Sequence, residues 1–514
     1  MDNKFSNPEA RPVRVERIPT VTLTHEAGGE HVLPDYLPPI RRMVALRASV
    51  LPEGKFLSSG GASGSLEVAG TVAYTLIYTD DEGKLTGASL TSDYSATTAL
   101  PAGIEDAAVQ TTAENNSCRV LAPRKVSLRS RLQTEVEAMR AVPLEERVNG
   151  RLTPADAIHM ERLPVEISSV RCFRGEGRGL RVEGLLAESA EALRPIVCDG
   201  NVTVKSARAT ADGVTVRGTV TVSCLCVPED SLTPEMPTRM EKTEEFEEHV
   251  EISGCAEGDL VTATGRSVSL LIHNDETADG LREISYELLF DVEATATRNE
   301  RAEATADLYS TEREMACTYQ TGECLSAERA ILASLSLSES LPYKGAPGTR
   351  CVDVSARAIP ERKEWKDGKL VLSGTVVFGV VLCGEGMEFT GEDYRVPFRY
   401  TCDSAAKNGC VHVSCSCSAE SARLDAGKII LGAEVFLSGT IFDRASVTTV
   451  ETVTPGEAYP SEESATFRVF YPSGEESLWQ VGKRYRKSCR SLAEENGLTG
   501  ELSAALGGVG KLIV

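Results

Sequence analysis

The chain has 514 residues, 41% of them hydrophobic, and carries a formal net charge of −22. A length of this order predicts about three or four domains, and the apolar content is sufficient for ordinary cores. The acidic excess repels phosphate groups and so argues against nucleic acid as a partner. The N-terminus contains no apolar stretch of signal-peptide length, and no apolar run reaches the roughly 18 residues of a membrane span. We therefore expect a cytosolic protein with no membrane span.

The first 30 residues are polar and contain Pro8, Pro12 and Pro19. Proline interrupts helices and cannot donate to a β-ladder, so we expect residues 1–30 to be a flexible N-terminal segment. Within it, the sequence VTLTHE at residues 21–26 is compatible with one additional edge strand.

A strand pattern of thirteen residues then occurs three times: LEVAGTVAYTLIY from Leu66, VTVRGTVTVSCLC from Val214 and LVLSGTVVFGVVL from Leu370. Apolar and polar residues alternate with the period of a half-buried strand, around a central Gly-Thr-Val. The missing side chain at the central glycine predicts a bulge, a bend or a close neighbour. The domain-sized spacing indicates three related β-rich domains in tandem rather than a solenoid of short repeats. The three glycines are Gly70, Gly218 and Gly374.

Each copy also has a strand pattern before and after the Gly-Thr-Val strand. The preceding strands are predicted at residues 44–50, 202–209 and 352–358. The following strand reads APRKVSLRSRLQTEVEA in the first copy and AGKIILGAEVFLSG in the third. In the second copy GRSVSLLI matches it, and NDETADG is interpreted as an insertion before ISYELLFDVEATA. These matches place β domains at residues 31–150, 165–305 and 325–453.

The segments outside the copies have a different composition. Residues 143–164 are interpreted as a linker or short helix, and residues 309–348 as a linker followed by a strand. Residues 454–466 are rich in proline, serine and glutamate and predict a linker at the end of the third domain.

Residues 467–514 change from the period of strands to that of helices and predict a small βααβ module. Ser477 is placed to cap the first helix, and Asn496-Gly497 is a stop signal for the second. Basic residues gather here on an otherwise acidic chain, and such a patch attracts an acidic partner. They are Lys483, Arg484, Arg486, Lys487 and Arg490.

This C-terminal module resembles the LysM domain. The matching positions are Phe467, Val469, Gly474, Ser477, Leu478, Trp479, Val481, Tyr485, Leu492, Asn496, Gly497, Gly510, Leu512 and Ile513. The chain departs from the LysM pattern where Glu475 and Glu476 occupy the place of one aspartate, and it lacks the usual terminal proline. The resemblance implies a LysM-like fold for residues 467–514.

Three other stretches are similar to the SPOCS domain, the β-rich module of clostridial spore-coat morphogenesis proteins. They are LPDYLPPIRRM, the Gly-Thr-Val strand and APRKVSLRSRLQTEVEA. Repeated SPOCS modules followed by one LysM module resemble that family. The resemblance implies a non-enzymatic scaffold or adaptor in spore-coat assembly, at the forespore surface in the mother-cell cytoplasm. It also implies self-assembly or docking to a SpoIVA-like coat morphogenetic ATPase through the LysM-like tail.

The alternative is a cell-wall or cortex protein that binds peptidoglycan or N-acetylglucosamine through the LysM groove. The resemblance places the partner or glycan face on Gly474, Ser477, Trp479, Lys483, Arg484, Lys487, Asn496 and Gly497. Trp479 either packs in a core or stacks on a sugar, and its place on the first helix favours the core. The basic run is either solvated or docks an acidic surface. We expect protein docking, since ordering the glycine-rich loop after the second helix around a sugar costs entropy.

Fifteen cysteines and six histidines are the remaining candidates for chemistry. The odd number of cysteines and their strand-face positions favour reduced thiols over a disulfide framework. Cys224 with Cys226, and Cys415 with Cys417 near His412, suggest metal ligands, but neither group completes a four-ligand set. The sequence also has no nucleophile, metalloprotease or phosphate-loop motif. It therefore predicts no catalytic residue, no metal and no cofactor.

Overall fold

The structure is a computed structural model that describes residues 13–60, 63–101, 103–189, 191–229, 235–277, 280–406, 409–460, 468–507 and 509–514. The chain is mainly β, as the alternating patterns predict, with a small helical region near the C-terminus. No helix in the described part of the chain is both long and apolar enough to cross a membrane.

Residues 13–143, the first copy, fold into two antiparallel sheets. The strands are β1 Val13–Arg17, β2 Val21–Val32, β3 Arg42–Gly60, β4 Ser63–Thr79, β5 Leu85–Pro101, β6 Ile104–Ala122 and β7 Lys125–Pro143. One sheet has the order β3-β4-β5, and in the other β7 pairs with β1, β2 and β6. A short strand β8 Arg147–Val148 and a helix α1 Pro154–Ile158 follow.

The second and third copies repeat this arrangement. The second contains β9 Met160–Ser189, β10 Leu193–Thr210, β11 Gly213–Pro228, β12 Thr238–Glu251, β13 Leu260–Glu276 and β14 Arg282–Ser310. The third contains β15 Arg313–Pro342, β16 Arg350–Lys366, β17 Lys369–Cys383, β18 Phe389–Asp403, β19 Cys410–Asp425 and β20 Lys428–Ala458. Their sheets have the orders β10-β11-β12 and β13-β14-β9, then β16-β17-β18 and β15-β20-β19.

The Gly-Thr-Val strand is the middle strand of its sheet in every copy, and the predicted bulge beside its glycine is confirmed. The preceding strand bulges opposite each glycine, at Glu53, Lys205 and Glu361. A Cβ at Gly218 would lie 2.1 Å from the carbonyl oxygen of Thr203 and 2.7 Å from the ring of Phe246. Gly70 and Gly374 meet a carbonyl and an aromatic side chain in the same way. Glycine is required because the bulged main chain and the aromatic residue occupy the space of a side chain.

The N-terminal segment differs from the prediction, because residues 13–17 and 21–30 lie in paired strands. Both β1 and β2 pair with β7, on the side where β9 and β15 run as single long strands in the later copies. Pro19 lies in the break between β1 and β2. The VTLTHE pattern at residues 21–26 is compatible with an edge strand, but no local pattern shows that β1 and β2 pair with a strand about a hundred residues further along. The remaining part of the predicted flexible segment, residues 1–12, is outside the described residues.

The second copy is also aligned differently from the sequence prediction. GRSVSLLI lies in β13, whereas the strand equivalent to β7 and β20 is β14, which contains ISYELLFDVEATA. NDETADG therefore belongs to the end of β13 and the connection to β14. It is not an insertion into the strand that follows the Gly-Thr-Val strand. Both strands alternate with period two, so the pattern by itself could not separate them. Similarly, residues 454–458 of the predicted linker continue β20, and residues 461–466 lie outside the described residues.

Four long strands extend beyond the third strand of their sheets as a stalk, formed by residues 160–171, 298–310, 313–326 and 443–458. Small apolar clusters in the stalk combine residues from different copies. One contains Leu144, Ile167, Ala304 and Cys324, and the next contains Met160, Leu308, Val450 and Val453. The stalk is therefore built from residues that lie far apart in the sequence.

The copies share buried interior as well as having a core each. The three main cores draw their buried side chains from residues 18–138, 202–296 and 331–441. A further core joins all three copies through Ile77, Leu85, Val197, Leu225, Val227, Val352, Val381, Cys383 and Phe389. Around it β5 contacts β10, β12 contacts β16 and β18 contacts β3, so the three sheets close into a ring.

A buried charge cluster lies where the three copies meet. Arg47 of the first copy donates to Asp199 of the second at 2.7 Å and also to Asp353 of the third. Arg239 of the second copy donates to Asp353 at 2.7 Å and to the carbonyl of Val354 at 2.5 Å. Burial alone would lower the pKa of Arg47, but Asp353 and Asp199 hold it above its ordinary value. The ring is thus joined by ion pairs as well as apolar contacts.

The C-terminal residues form the predicted βααβ module. It consists of β21 Val469–Phe470, α2 Leu478–Tyr485, α3 Cys489–Asn496 and β22 Leu512–Ile513. The two short strands pair antiparallel. The module has its own core of Leu478, Val481, Leu492, Leu506, Leu512 and Val514. Phe467, one of the motif positions, lies outside the described residues.

Candidate functional site

The predicted site residues of the C-terminal module include a helix cap. The Ser477 hydroxyl accepts a hydrogen bond from the Gln480 N–H at 3.3 Å, and the Gln480 side chain accepts one from the Ser477 N–H at 2.9 Å. This reciprocal capping box satisfies two main-chain donors that the first turn of α2 cannot pair. Ser477 is buried, so its role is to begin the helix.

Asn496 and Gly497 end the second helix and attach the closing strand. The Asn496 side chain donates to the carbonyl of Ile513 at 2.9 Å and accepts from the Ile513 N–H at 2.7 Å. Gly497 has a left-handed backbone with φ of 61°, as the helix-stop signal predicts. Gly474, with φ of 91°, lies in the turn before α2. These residues shape the module.

The loop before α2 and the loop after α3 are joined by main-chain bonds. The Leu506 N–H donates to the carbonyl of Glu476 at 2.8 Å, and the Trp479 N–H donates to the carbonyl of Leu502 at 3.0 Å. An isolated β-bridge also pairs Ser477 with Ala505. The glycine-rich segment is thereby anchored along its first part.

One face of α2 lies against the end of the stalk, where it meets Asp307 of β14. The Trp479 indole N–H donates to the Asp307 carboxylate at 2.8 Å, and the Lys483 ammonium contacts both carboxylate oxygens at 2.7 Å. The hydroxyl of Tyr319 and the N–H of Leu308 donate to the same carboxylate at 2.7 and 2.8 Å. Burial would raise the pKa of Asp307, but these donors hold it below its ordinary value. Asp307 is therefore an ionised acceptor for the module.

Tyr309 provides the apolar part of this contact. Its ring lies edge-on to Trp479, with centroids 4.8 Å apart, and its hydroxyl donates to the carbonyl of Lys487 at 2.7 Å. Burial raises the pKa of Tyr309, so the hydroxyl stays neutral and remains a donor. A Cβ at Gly482 would lie 2.5 Å from that hydroxyl. The absence of a side chain at Gly482 therefore lets α2 approach the stalk.

The other predicted basic residues also have neighbours within the chain. Arg484 pairs with Glu476 at 2.9 Å, Lys487 with Glu495 at 3.5 Å and Arg490 with Glu494 at 3.0 Å. The guanidinium of Arg486 lies 3.6 Å from the ring centroid of Tyr459, just beyond β20. The basic patch is therefore largely compensated by the chain itself.

Five of the predicted site residues thus fall into two groups. Trp479 and Lys483 come together on the stalk, whereas Ser477, Asn496 and Gly497 maintain the local fold. No local pattern in the sequence indicated the residues that receive them on the stalk, which are Asp307, Tyr309 and Tyr319. A bulge between Thr305 and Asp307 shifts the register just before them, and such a bulge has no reliable local signature in a polar strand.

A second charged site lies in a crevice of about 350 Å³ between the first and third copies. Glu137 accepts from Arg17 at 2.6 Å and from His412 at 3.1 Å, and Lys363 lies 3.7 Å away. Burial would raise the pKa of Glu137, but the hydrogen bond and charge of His412 and the charges of Arg17 and Lys363 lower it to about 2. This cluster acts as an ion-paired joint between the copies.

The cysteines considered as metal ligands lie in the sheets. Burial raises the pKa of Cys226, Cys415 and Cys417 to about 12 in each case. Metal ligation and nucleophilic attack need the thiolate, which such environments disfavour. In the described ranges no three histidine, cysteine or acidic residues are grouped to hold a metal ion.

Comparison of the chain with protein-family models, curated proteins and solved structures gave no match. The SPOCS and LysM resemblances of the sequence therefore stay predictions. The mainly β fold and the contact between α2 and the stalk are observed in the structure of this chain itself.

Proposed function

We propose that this protein is a non-enzymatic scaffold of the spore envelope that docks a SpoIVA-like coat morphogenetic ATPase through its C-terminal module. Its proposed location is the forespore surface, on the mother-cell side. The observation that carries the proposal is the attachment of a βααβ module with LysM-like motifs to the end of a continuous β body. Such a body can hold two envelope components at a set distance.

The construction of the β body supports a scaffold. Buried side chains of different copies share apolar clusters, and the ring junction adds ion pairs to them. The longest strands have 30 or 31 residues and could reach at most about 100 Å if straight. Shared interiors resist the relative motion that separate domains on linkers would show. The chain therefore offers a long and stiff spacer.

The first experiment compares the whole chain with a chain that ends at residue 460. Both are immobilised, and binding of a purified SpoIVA-type ATPase is measured by biolayer interferometry. We expect binding by the whole chain and its loss on truncation, with an unchanged far-ultraviolet circular dichroism spectrum of the β body. In sporulating cells, the truncated chain should leave the forespore surface. Equal binding by both chains would contradict docking through the module.

Peptidoglycan binding is the second candidate, and one exposed aromatic residue favours it. Tyr471 follows β21 and is 71% exposed, outside the face that contacts the stalk. An exposed ring can stack on a sugar. Cosedimentation with purified peptidoglycan, with Tyr471→Ala as the matched variant, separates the two candidates. Sedimentation velocity of the chain alone tests self-assembly.

A further inference from the structure

The helix face that the sequence assigns to a partner is covered by the chain's own stalk. Trp479 is only 3% exposed, and Lys483 pairs with Asp307 rather than pointing freely into solvent. An external protein cannot contact the Trp479 ring while Tyr309 lies against it. A partner that uses this face must therefore displace the stalk.

We propose that this contact is an autoinhibitory latch. Asp307 and Tyr309, supported by Tyr319, hold the C-terminal module closed, and a partner gains access to Trp479 and Lys483 when the latch opens. The inference rests on the proposed function, because it concerns the same module and the same partner.

The latch can open without unfolding the module. Leu478, Val481, Leu492 and Leu512 belong to a core within the module, whereas Trp479 and Cys489 cluster separately with Tyr309. Separation from the stalk would expose the second cluster and leave the first intact. The module therefore has the independent interior that a movable part needs.

The forces in the latch are suited to reversible release. The Lys483 side chain is 43% exposed and that of Asp307 21% exposed, so salt and competing charges reach the ion pair. The apolar contribution comes mainly from the Trp479 and Tyr309 rings. A contact of this composition is weaker than the shared cores that join the copies, and it should open first.

The latch also indicates the chemistry of the partner. Asp307 and Tyr309 are two residues apart in β14, so their side chains lie on the same side of the strand and meet the module together. A partner that replaces them needs a carboxylate for Lys483 and Trp479 and an aromatic ring to pack on Trp479. We infer an extended acidic segment with an aromatic residue two positions from a carboxylate.

Opening can be measured without any partner, because the chain has only two tryptophans. Trp365 bonds to Ser404 in the third copy, remote in sequence from the module. Trp365→Phe, introduced into the whole chain, leaves Trp479 as the single tryptophan reporter. Asp307→Asn removes the charge at nearly constant shape, and Asp275→Asn, at an exposed position of β13, is the matched control. Acrylamide quenching then reports the exposure of Trp479.

We expect Asp307→Asn to increase quenching of Trp479 several-fold and to tighten binding of the SpoIVA-type ATPase about tenfold or more. Asp275→Asn should change neither quantity. Tyr319→Phe, which removes one donor from the carboxylate, should act in the same direction but less. It also provides a second test if Asp307→Asn impairs folding.

Unchanged quenching in Asp307→Asn and Tyr319→Phe would overturn the latch. Increased quenching with unchanged or weaker binding would overturn the inference that the stalk and the ATPase compete for Trp479 and Lys483. Docking through the module would still stand. If no variant bound the ATPase, the proposed function and the competition would both fail, and the quenching result would still decide whether Asp307 holds the module closed.

Discussion

Replacement of Asp353 tests whether the charge cluster at the ring junction holds the three copies together. The Asp353 side chain is 3% exposed, and it accepts from Arg47 and Arg239, whose side chains are 14% and 20% exposed. Asp353→Ala removes a buried counter-charge and leaves two guanidinium groups in a largely water-excluded site, with only more exposed carboxylates beside them. The strand pairing around position 353 should survive, because its equivalents after the same bulge, Ala45 and Val197, have apolar side chains.

We expect Asp353→Ala to lower the free energy of unfolding by about 3–5 kcal/mol, the usual cost of removing one partner from a buried ion pair. Asp199→Ala is the matched control, because Asp199 pairs with the same Arg47 but its side chain is 48% exposed. Solvent replaces a partner at such a site, so the control should cost about 1 kcal/mol or less. Converting Arg47 and Arg239 to Met together with Asp353→Leu should restore most of the loss.

Urea unfolding of the whole chain, followed by circular dichroism and tryptophan fluorescence, measures these differences. The slope of the free energy of unfolding against urea concentration shows whether the variants still unfold from the same compact state. A loss below about 1 kcal/mol for Asp353→Ala, or equal losses for the two aspartates, would refute the reasoning. The cluster would then be a solvated surface network rather than a joint.

Three further predictions concern other contacts. Glu137 has a pKa near 2 instead of 4.5, so it stabilises the folded chain above about pH 4.5 and loses that effect as pH falls toward 2. Unfolding measurements should show on the order of 3 kcal/mol of acid-sensitive stability that Glu137→Gln lacks. Gly218→Ala should cost about 1–3 kcal/mol in the same assay by overlap with Thr203, whereas Gly510→Ala, with open space around it, should cost little. Ser477→Ala should destabilise α2 by about 1 kcal/mol, seen as faster amide exchange in that helix alone. An equal loss of stability in both glycine variants would contradict the argument for Gly218. The argument for Glu137 fails if stability depends on pH in Glu137→Gln as it does in the unaltered chain, and that for Ser477 fails if amide exchange in α2 is unchanged.

The site shows why some residues could be found from the sequence and others could not. Ser477 and Gly497 act within one turn of their own helix, and their roles follow from the residues beside them. Lys483 was singled out by its charge, but its acceptor Asp307 lies 176 residues away. No local pattern connects two such positions, so the sequence suggested an external partner where the structure has an internal one.

The sequence by itself determined the Gly-Thr-Val strand and the strand before it in each copy, the position of each central glycine and the order of elements in the C-terminal module. Alternation, turn residues and caps are set by contacts within a few residues, so they can be read locally. Only the tertiary structure decided that β1 and β2 pair with β7, that β14 rather than β13 matches β7, and that Asp353 joins two arginines. These outcomes depend on which distant segments bury their apolar faces against each other. Several alternating strands fit the same local pattern equally well, so the pattern does not choose between them.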